Sequence, residues 1–343
     1  MTTTSPSRND AKRPPASDIP ARTGASLARR IGSIVLQRYS LVLIWLIMIV
    51  VLVATAPGDV SAIAAMRAVL STQTPLIFLG LAVVITMAVG EFDLSFAGIF
   101  GISAVTVPAL VVFEGWPFLP AVLAAFGVAL VFGIINAVLI VIVGINSVVV
   151  TLGVSSVAGG LAFLMSRETT VSGLDSALSV ITLGRFLGLP MIFWYGVILV
   201  AIVAYIMSAT PLGRHMLFVG SNRDVARLAG ISVTRIRVGA YLSSALLCGL
   251  AGVILSIGLG GFNPGTAATN LMPTFAAVFL GTVAIVPGRF NPIGMLIAGY
   301  FLLTGVFGLQ LHGQAGWVTD VFYGVVLVAA VTVSFLLQRR IRA

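Results

Sequence analysis

Residues 211–237 read Pro211-Leu-Gly-Arg-His-Met-Leu-Phe-Val-Gly220-Ser-Asn-Arg-Asp-Val-Ala-Arg-Leu-Ala-Gly230-Ile-Ser-Val-Thr-Arg-Ile-Arg237. Long apolar runs lie on both sides, so this polar stretch reads as a loop between membrane spans. It carries Arg214, Arg223, Arg227, Arg235 and Arg237 against one acid, Asp224. The positive-inside bias therefore places it on the cytoplasmic side. Ser221 and Asp224 have the spacing of a capping box, and Gly230 suits the left-handed stop of a helix. A helix of roughly two turns does not hold itself in water. Val225, Leu228 and Ala229 fall along one side of it. Two readings follow: a helix presented to a partner that supplies the missing packing, or an amphipathic connector resting on the headgroups.

Composition agrees with a polytopic membrane protein. Of 343 residues 59% are hydrophobic and 8% charged, and the mean hydropathy is +1.14. No soluble domain has this balance. The one cysteine, Cys248, lies in an apolar run, which suits packing rather than redox chemistry.

Residues 1–38 are Ser/Thr/Pro/Ala-rich and basic and read as a disordered cytoplasmic tail. The run 41–56 ends Ala54-Thr-Ala-Pro57, superficially a signal-peptidase site. The basic region before it is too long and more membrane follows, so it reads as a first span. A short interfacial helix is expected over 59–72. Further spans are expected at 75–90, 96–113, 120–143, 147–165, 191–209, 238–258, 271–286, 292–311 and 317–337. That gives ten in a permease domain of 39–337, followed by a basic C-terminus at 338–343. Several are short for a hydrocarbon core of roughly 30 Å, which points to broken or re-entrant helices. With both ends inside, 16 of the 19 basic residues fall on the cytoplasmic side.

The second informative stretch is Gly90-Glu91-Phe92-Asp93-Leu94-Ser95. Two carboxylates between apolar helices are costly unless hydrogen-bonded, hydrated or neutralised. Asp93 and Ser95 are competent N-caps for the next helix. Lining a translocation path, or holding a broken helix, suits Glu91 better, and both readings can hold. Asn136, Asn146, Thr151, Ser155 and Ser156 mark the next two spans. Asn146 is placed to cap one, while Thr151 either bonds its own helix or faces the path. Asn263 opens an outward turn or gate. His215 and His312 have no partner at metal-ligand spacing, and no metal site is expected.

The one lysine, Lys12, lies in the tail, so no Gly-x-x-x-x-Gly-Lys phosphate loop exists. There is no Gly-x-Ser-x-Gly elbow and no His-Glu-x-x-His helix either. If ATP drives this protein, another chain hydrolyses it. An ion-coupled carrier using Glu91 or Asp93 is the rival class. The polar residues are too scattered for a membrane-bound enzyme.

Four ordered motifs carry a resemblance. Gly90-Glu-Phe-Asp-Leu-Ser95 is similar to Gly-Gly-Ile-Asp-Leu-Ser, and Val150-Thr-Leu-Gly153 matches Val-Thr-Leu-Gly. The segment from Thr210 to Ile231 resembles a coupling loop. Ala276-Ala-Val-Phe-Leu-Gly281 with Pro287-Gly-Arg289 and Gly294 resembles a late glycine-rich signature. Together, from about residue 75 to the C-terminus, they resemble the permease subunit of ribose-type sugar importers of the ATP-binding-cassette class. The broader group includes branched-chain amino-acid permeases.

The resemblance implies an all-α, type II importer fold in a bacterial inner membrane. Its coupling residues would be Gly213, Arg214, Gly220, Ser221, Asn222, Arg223, Asp224, Arg227, Leu228 and Gly230. Glu91, Asp93, Ser95, Asn146, Thr151 and Asn263 are the candidates for the path or for helix breaks. The implied partners are a cytoplasmic ATPase holding ATP and Mg, an extracytoplasmic solute-binding protein, a second permease copy or paralogue, and membrane lipid, without nucleic acid. The chain holds no cofactor of its own in this reading. Spans two to five would recur, inverted, as seven to ten. Glu91 stands where the signature has glycine, and Ala97 also departs from it. The implied solute is a neutral pentose, hexose or polyol.

Overall fold

A computed structural model describes residues 24–55, 67, 69–70, 75–314 and 316–342. It divides into two units, Met1–Gln37 and Arg38–Ala343. Of the first, residues 24–37 are described and are helical throughout, as the opening of helix α1 (Gly24–Thr55). Residues 24–38 were expected within the structureless tail. Their Ala, Leu and Arg content favours helix, and the prolines at 14, 15 and 20 all precede it. The rest of the tail, and all of the interfacial helix over 59–72 except Arg67, Val69 and Leu70, lie outside the described residues.

The second unit continues with α2 (Pro75–Ala88), α3 (Phe96–Pro108), α4 (Phe118–Ala137), α5 (Ser147–Met165) and α6 (Met191–Ala209). Next come α7 (Pro211–Ser221), α8 (Arg223–Leu228), α9 (Val233–Leu259), α10 (Leu271–Gly281), α11 (Pro292–Leu311) and α12 (Gly316–Arg342). Single π turns prolong α3 over Ala109–Phe113 and α4 over Val138–Ile142. In α3 the π turn follows Pro108, which has no N–H to give the helical ladder.

Among the described residues seven helices are long and apolar enough to cross a membrane: α3, α4, α5, α6, α9, α11 and α12. The other three expected spans are shorter. The apolar part of α1 is Tyr39–Thr55, α2 has 14 residues and α10 has 11. At about 1.5 Å per residue, α10 covers roughly half of a hydrocarbon core. Its expected continuation to residue 286 is irregular, with Ile285 at φ 61°. The break is made by close approach and by capping. A Cβ on Gly281 would meet the Met295 backbone N at 2.5 Å. Asn291 caps α11 through Oδ1 and donates from Nδ2 to the carbonyls of Gly281 and Ala284. The helix after the central loop differs as well. It begins at Val233, not 238, so Arg235 and Arg237 stand on α9.

Helix α9 packs on α2, α3 and α4, while α3 also packs on α5. Small residues let these backbones meet, as membrane helix interfaces require. A Cβ on Gly252 would lie 2.7 Å from both Ala104 N and Phe100 O, and one on Gly98 would lie 2.5 Å from Ser155 O. Helices α10, α11 and α12 form the second layer, joined to the first through α2. At the far end of α9, strand β1 (Val171–Ser172) pairs antiparallel with β4 (Gly261–Phe262). Strands β2 (Arg185–Phe186) and β3 (Leu189–Pro190) form a hairpin turned by Leu187 and Gly188, both at positive φ.

Two substitutions test this packing. Gly252→Ala forces α9 off α3 and is expected to cost about 1–3 kcal/mol, read as a lowered midpoint of thermal unfolding in detergent. Gly220→Val places a side chain against the Ala88 carbonyl, 2.2 Å from the Cβ position. That change is expected to loosen α7 selectively, read as faster amide exchange over 211–221 than over α9.

Candidate functional site

The polar segment 210–237 folds as two helices and the start of a third. Thr210 caps α7 by accepting from the Gly213 N–H, with Pro211 in the first turn. Gly213 and Gly220 serve close approach. A Cβ on Gly213 would meet the Met207 and Ile206 carbonyls, and one on Gly220 would meet the end of α2.

Ser221 is the last residue of α7, so it does not form the expected capping box. Asn222 caps α8 instead, its Oδ1 accepting from the N–H groups of Asp224 and Val225 at 3.0 and 3.1 Å. Asp224 pairs with Arg227 at 3.5 Å, one turn on. Gly230, at φ 78°, ends the helix by turning Ile231 N–H back to the Ala226 carbonyl. Ala226 is buried in a small core with Val219 and Val233. On the other side Val225 is half exposed and Leu228 is 88% exposed. Six residues of helix thus have one side seated and one apolar side open.

The seat is made by the turn between α2 and α3. Glu91 is 2% exposed and Arg223 Nη2 approaches its Oε1 at 2.7 Å. The same Nη2 donates to the Gly90 carbonyl at 3.0 Å. Arg237 Nε bonds the same carboxylate oxygen, and Tyr241 OH donates to Oε2 at 3.2 Å. Two guanidiniums and a phenol satisfy the buried charge, which isolated would be far too costly to bury. Glu91 is therefore charge-paired with both arginines.

Asp93 is also buried. Its Oδ1 accepts from Ser95 N–H at 2.8 Å and Ser95 Oγ at 2.6 Å, and its Oδ2 accepts from Ser244 Oγ at 3.1 Å. It thus tethers the start of α3, while Ser95 occupies the cap position without a side-chain bond to the helix. Burial pushes the Asp93 carboxyl above its ordinary value, the bonds from Ser95 and Ser244 pull it back, and the Glu91 charge raises it further. Asn136 Nδ2 donates to Ser95 Oγ at 2.7 Å. Thr151 bonds both its own helix, at Ser147 O, and the Leu94 N–H at 3.1 Å.

Arg237, Tyr241 and Ser244 lie at i, i+4 and i+7 on α9, one face of that helix. The sequence alone gave Arg237 a share in loop charge only and singled out neither Tyr241 nor Ser244. The spacing was available; the acids 150 residues away that they serve were not evident from it. Cys248, one turn further, is buried.

Two other candidates lie elsewhere. Asn146 caps α5, accepting from Val148 N–H at 2.9 Å. Asn263 sits at the opposite end of α9, where it caps a 3₁₀ turn and donates to Thr170 Oγ1 at 2.8 Å. His215 is exposed on α7 and His312 bonds the Gly308 and Thr55 carbonyls. Among the described residues no three of His, Cys, Asp or Glu gather as a metal site.

An aromatic stack extends the turn. Phe92 lies on Phe275 of α10, centroids 5.1 Å apart, and Phe275, Phe279 and Phe290 follow in series. A cleft of about 860 Å³ opens beside it, lined by Glu91, Phe92, Arg214, Phe218, Val225 and Phe290.

The family model described as branched-chain amino acid transport system / permease component matches residues 65–331. The chain is 29% identical over 266 residues to the fructose import permease protein FrcC of Rhizobium meliloti, covering 74% of this chain and 73% of that protein. It is 28% identical over 285 residues to the autoinducer 2 import system permease protein LsrC of Escherichia coli, covering 82% and 83%. LsrC of Salmonella typhi is 27% identical over 279 residues, covering 80% of each. No solved structure gives a significant match. The match covers α2 to α11, including the α7–α8 segment, and most of the apolar part of α12, and the chain belongs to this multi-pass permease family.

Proposed function

We propose that this chain is the membrane subunit of an ATP-binding-cassette importer for a neutral sugar or polyol. The observation that carries it is α8: a two-turn helix, capped at both ends and bonded to a buried carboxylate, that leaves Val225 and Leu228 open on its outer side. An amphipathic connector has no need of such a rigid seat. A docking helix does, because force applied to it must reach the spans.

In this reading residues 210–237 face the cytoplasm and insert into an ATPase subunit, which binds ATP and Mg. Both termini lie on that side of the bacterial inner membrane. An extracytoplasmic binding protein delivers the solute to the opposite end, near Asn263 and Thr170, and a second permease copy or paralogue completes the unit. The path is expected along α2 and α10, two short helices that pack on each other, with Phe92 of the turn after α2 stacked on Phe275, since interrupted helices mark binding regions in transporters. ATP binding closes the ATPase pair, shifts α8, and changes which face is open. Sugar as the solute class is supported by the named relatives. The ion-coupled alternative is not favoured, because both carboxylates already have protein partners.

The test is uptake of a labelled sugar panel by proteoliposomes holding this chain with its ATPase and binding protein. ATP-driven uptake is expected, and Leu228→Glu is expected to remove it by about tenfold or more while the purified permease keeps its unfolding midpoint. Uptake that ignores ATP, survives Leu228→Glu and collapses with the ion gradient would overturn the proposal.

A further inference from the structure

Each residue of the turn 90–94 is tied to an element outside it. The Gly90 carbonyl and the Glu91 carboxylate hold Arg223, the first residue of α8. Glu91 also holds Arg237 and Tyr241 of α9. Phe92 stacks on Phe275 of α10. Asp93 holds Ser244 of α9, and the Leu94 N–H is held by Thr151 of α5. The backbone adds a further tie, since Gly90 and Gly220 lie close enough that a Cβ on Gly90 would be 3.3 Å from the Gly220 carbonyl oxygen. Contacts from five consecutive residues make the turn a junction between the exposed helix and three membrane elements.

We propose that Glu91 is a positioning residue for energy coupling, the anchor through which displacement of α8 is delivered to the turn and from there to α5, α9 and α10. The inference rests on the importer reading above. Glu91 carries the role because it alone in the turn joins α8 by charge. Its two guanidiniums differ in placement: the Arg237 side chain is 14% exposed, within the helical core, and that of Arg223 is 40% exposed, on the moving helix. Arg237 fixes the carboxylate; Arg223 loads it. If α8 shifted alone, it would strip one of two cations from a buried carboxylate. Moving the turn with α8 keeps the pair intact, so the helix drags the turn rather than sliding over it. The motif resembled by residues 90–95 has glycine where Glu91 stands, so this anchor is a property of the present chain's own residues.

Arg223→Gln separates coupling from folding, because it leaves the Glu91–Arg237–Tyr241 bonds in place. In the reconstituted importer the expected result is ATP hydrolysis within about twofold of wild type with uptake lowered about tenfold, so that more ATP is consumed per solute. Arg223→Lys, which restores the charge, is expected to recover most of the ratio. Glu91→Gln is expected to give the same defect, and the Glu91→Gln/Arg223→Gln double variant to be no worse than either alone, as a shared interaction requires. An unchanged ratio in Arg223→Gln would overturn the anchor. Parallel loss of hydrolysis and uptake without rescue by lysine would also overturn it, by making Arg223 a docking residue. Wild-type uptake that is independent of ATP would instead overturn the importer reading itself, which separates the two failures.

Discussion

A carboxylate that is 2% exposed in a chain that is 59% hydrophobic has to be paired or hydrogen-bonded, and at Glu91 two arginines meet that requirement and organise the face around α8. Glu91 draws Arg223 and Arg237 inward from a segment whose other arginines stay in solvent. The bonds are charge-assisted, which makes them short and directional. They fix the register of α8 against α2 and α9 more firmly than its small apolar underside could. Ala226 and two valines make a minor core, far too little to seat a helix of six residues by burial alone.

The same constraint explains why the helices beneath are interrupted. A turn that holds two acids cannot lie in hydrocarbon, so α2 must end at Ala88 and α3 begin at Phe96, leaving seven residues of non-helical backbone in which both acids are buried in protein. Irregular backbone at such a position is tolerated only where its polar groups find partners, and here Asp93, Thr151 and the Thr86 carbonyl supply them. The break after α10 is solved differently, through the side-chain amide of Asn291 and without charge. The first interruption touches α10 itself through one aromatic contact, Phe92 on Phe275.

Much of this was legible in the sequence, and the gaps have identifiable causes. Hydropathy placed nearly every helix, because a membrane span announces itself by composition. Gly230 could be read as a helix stop, since few residues other than glycine adopt positive φ at low cost. The cap was misplaced by one residue because Ser221 and Asn222 are both good caps, and only the end of α7 shows which one is left free. The early end of α10 was hidden, since nothing apolar distinguishes Thr282-Val-Ala-Ile-Val286 from a continuing span; Gly281 against Met295 decides it. The role of Glu91 was harder still. Its charge was conspicuous, yet its partners stay hidden until Arg223, 132 positions further along the chain, is folded back onto it.

Once they are folded, α9 acquires a second meaning. It is 27 residues long and begins at the junction with Arg237, Tyr241 and Ser244 along one face. It ends at Gly260, beside the β1–β4 pair on the opposite side of the membrane domain. Between those ends Gly249 and Gly252 press it directly against α4 and α3, so its central turns meet side chains and backbone with little free space. A helix clamped in this way does not bend readily to absorb a displacement at one end. It carries the displacement along its length as a rigid body, or it transmits nothing. The buried charges at one end and the paired strands at the other are then two terminals of one element, and the glycines between them are what keep that element stiff.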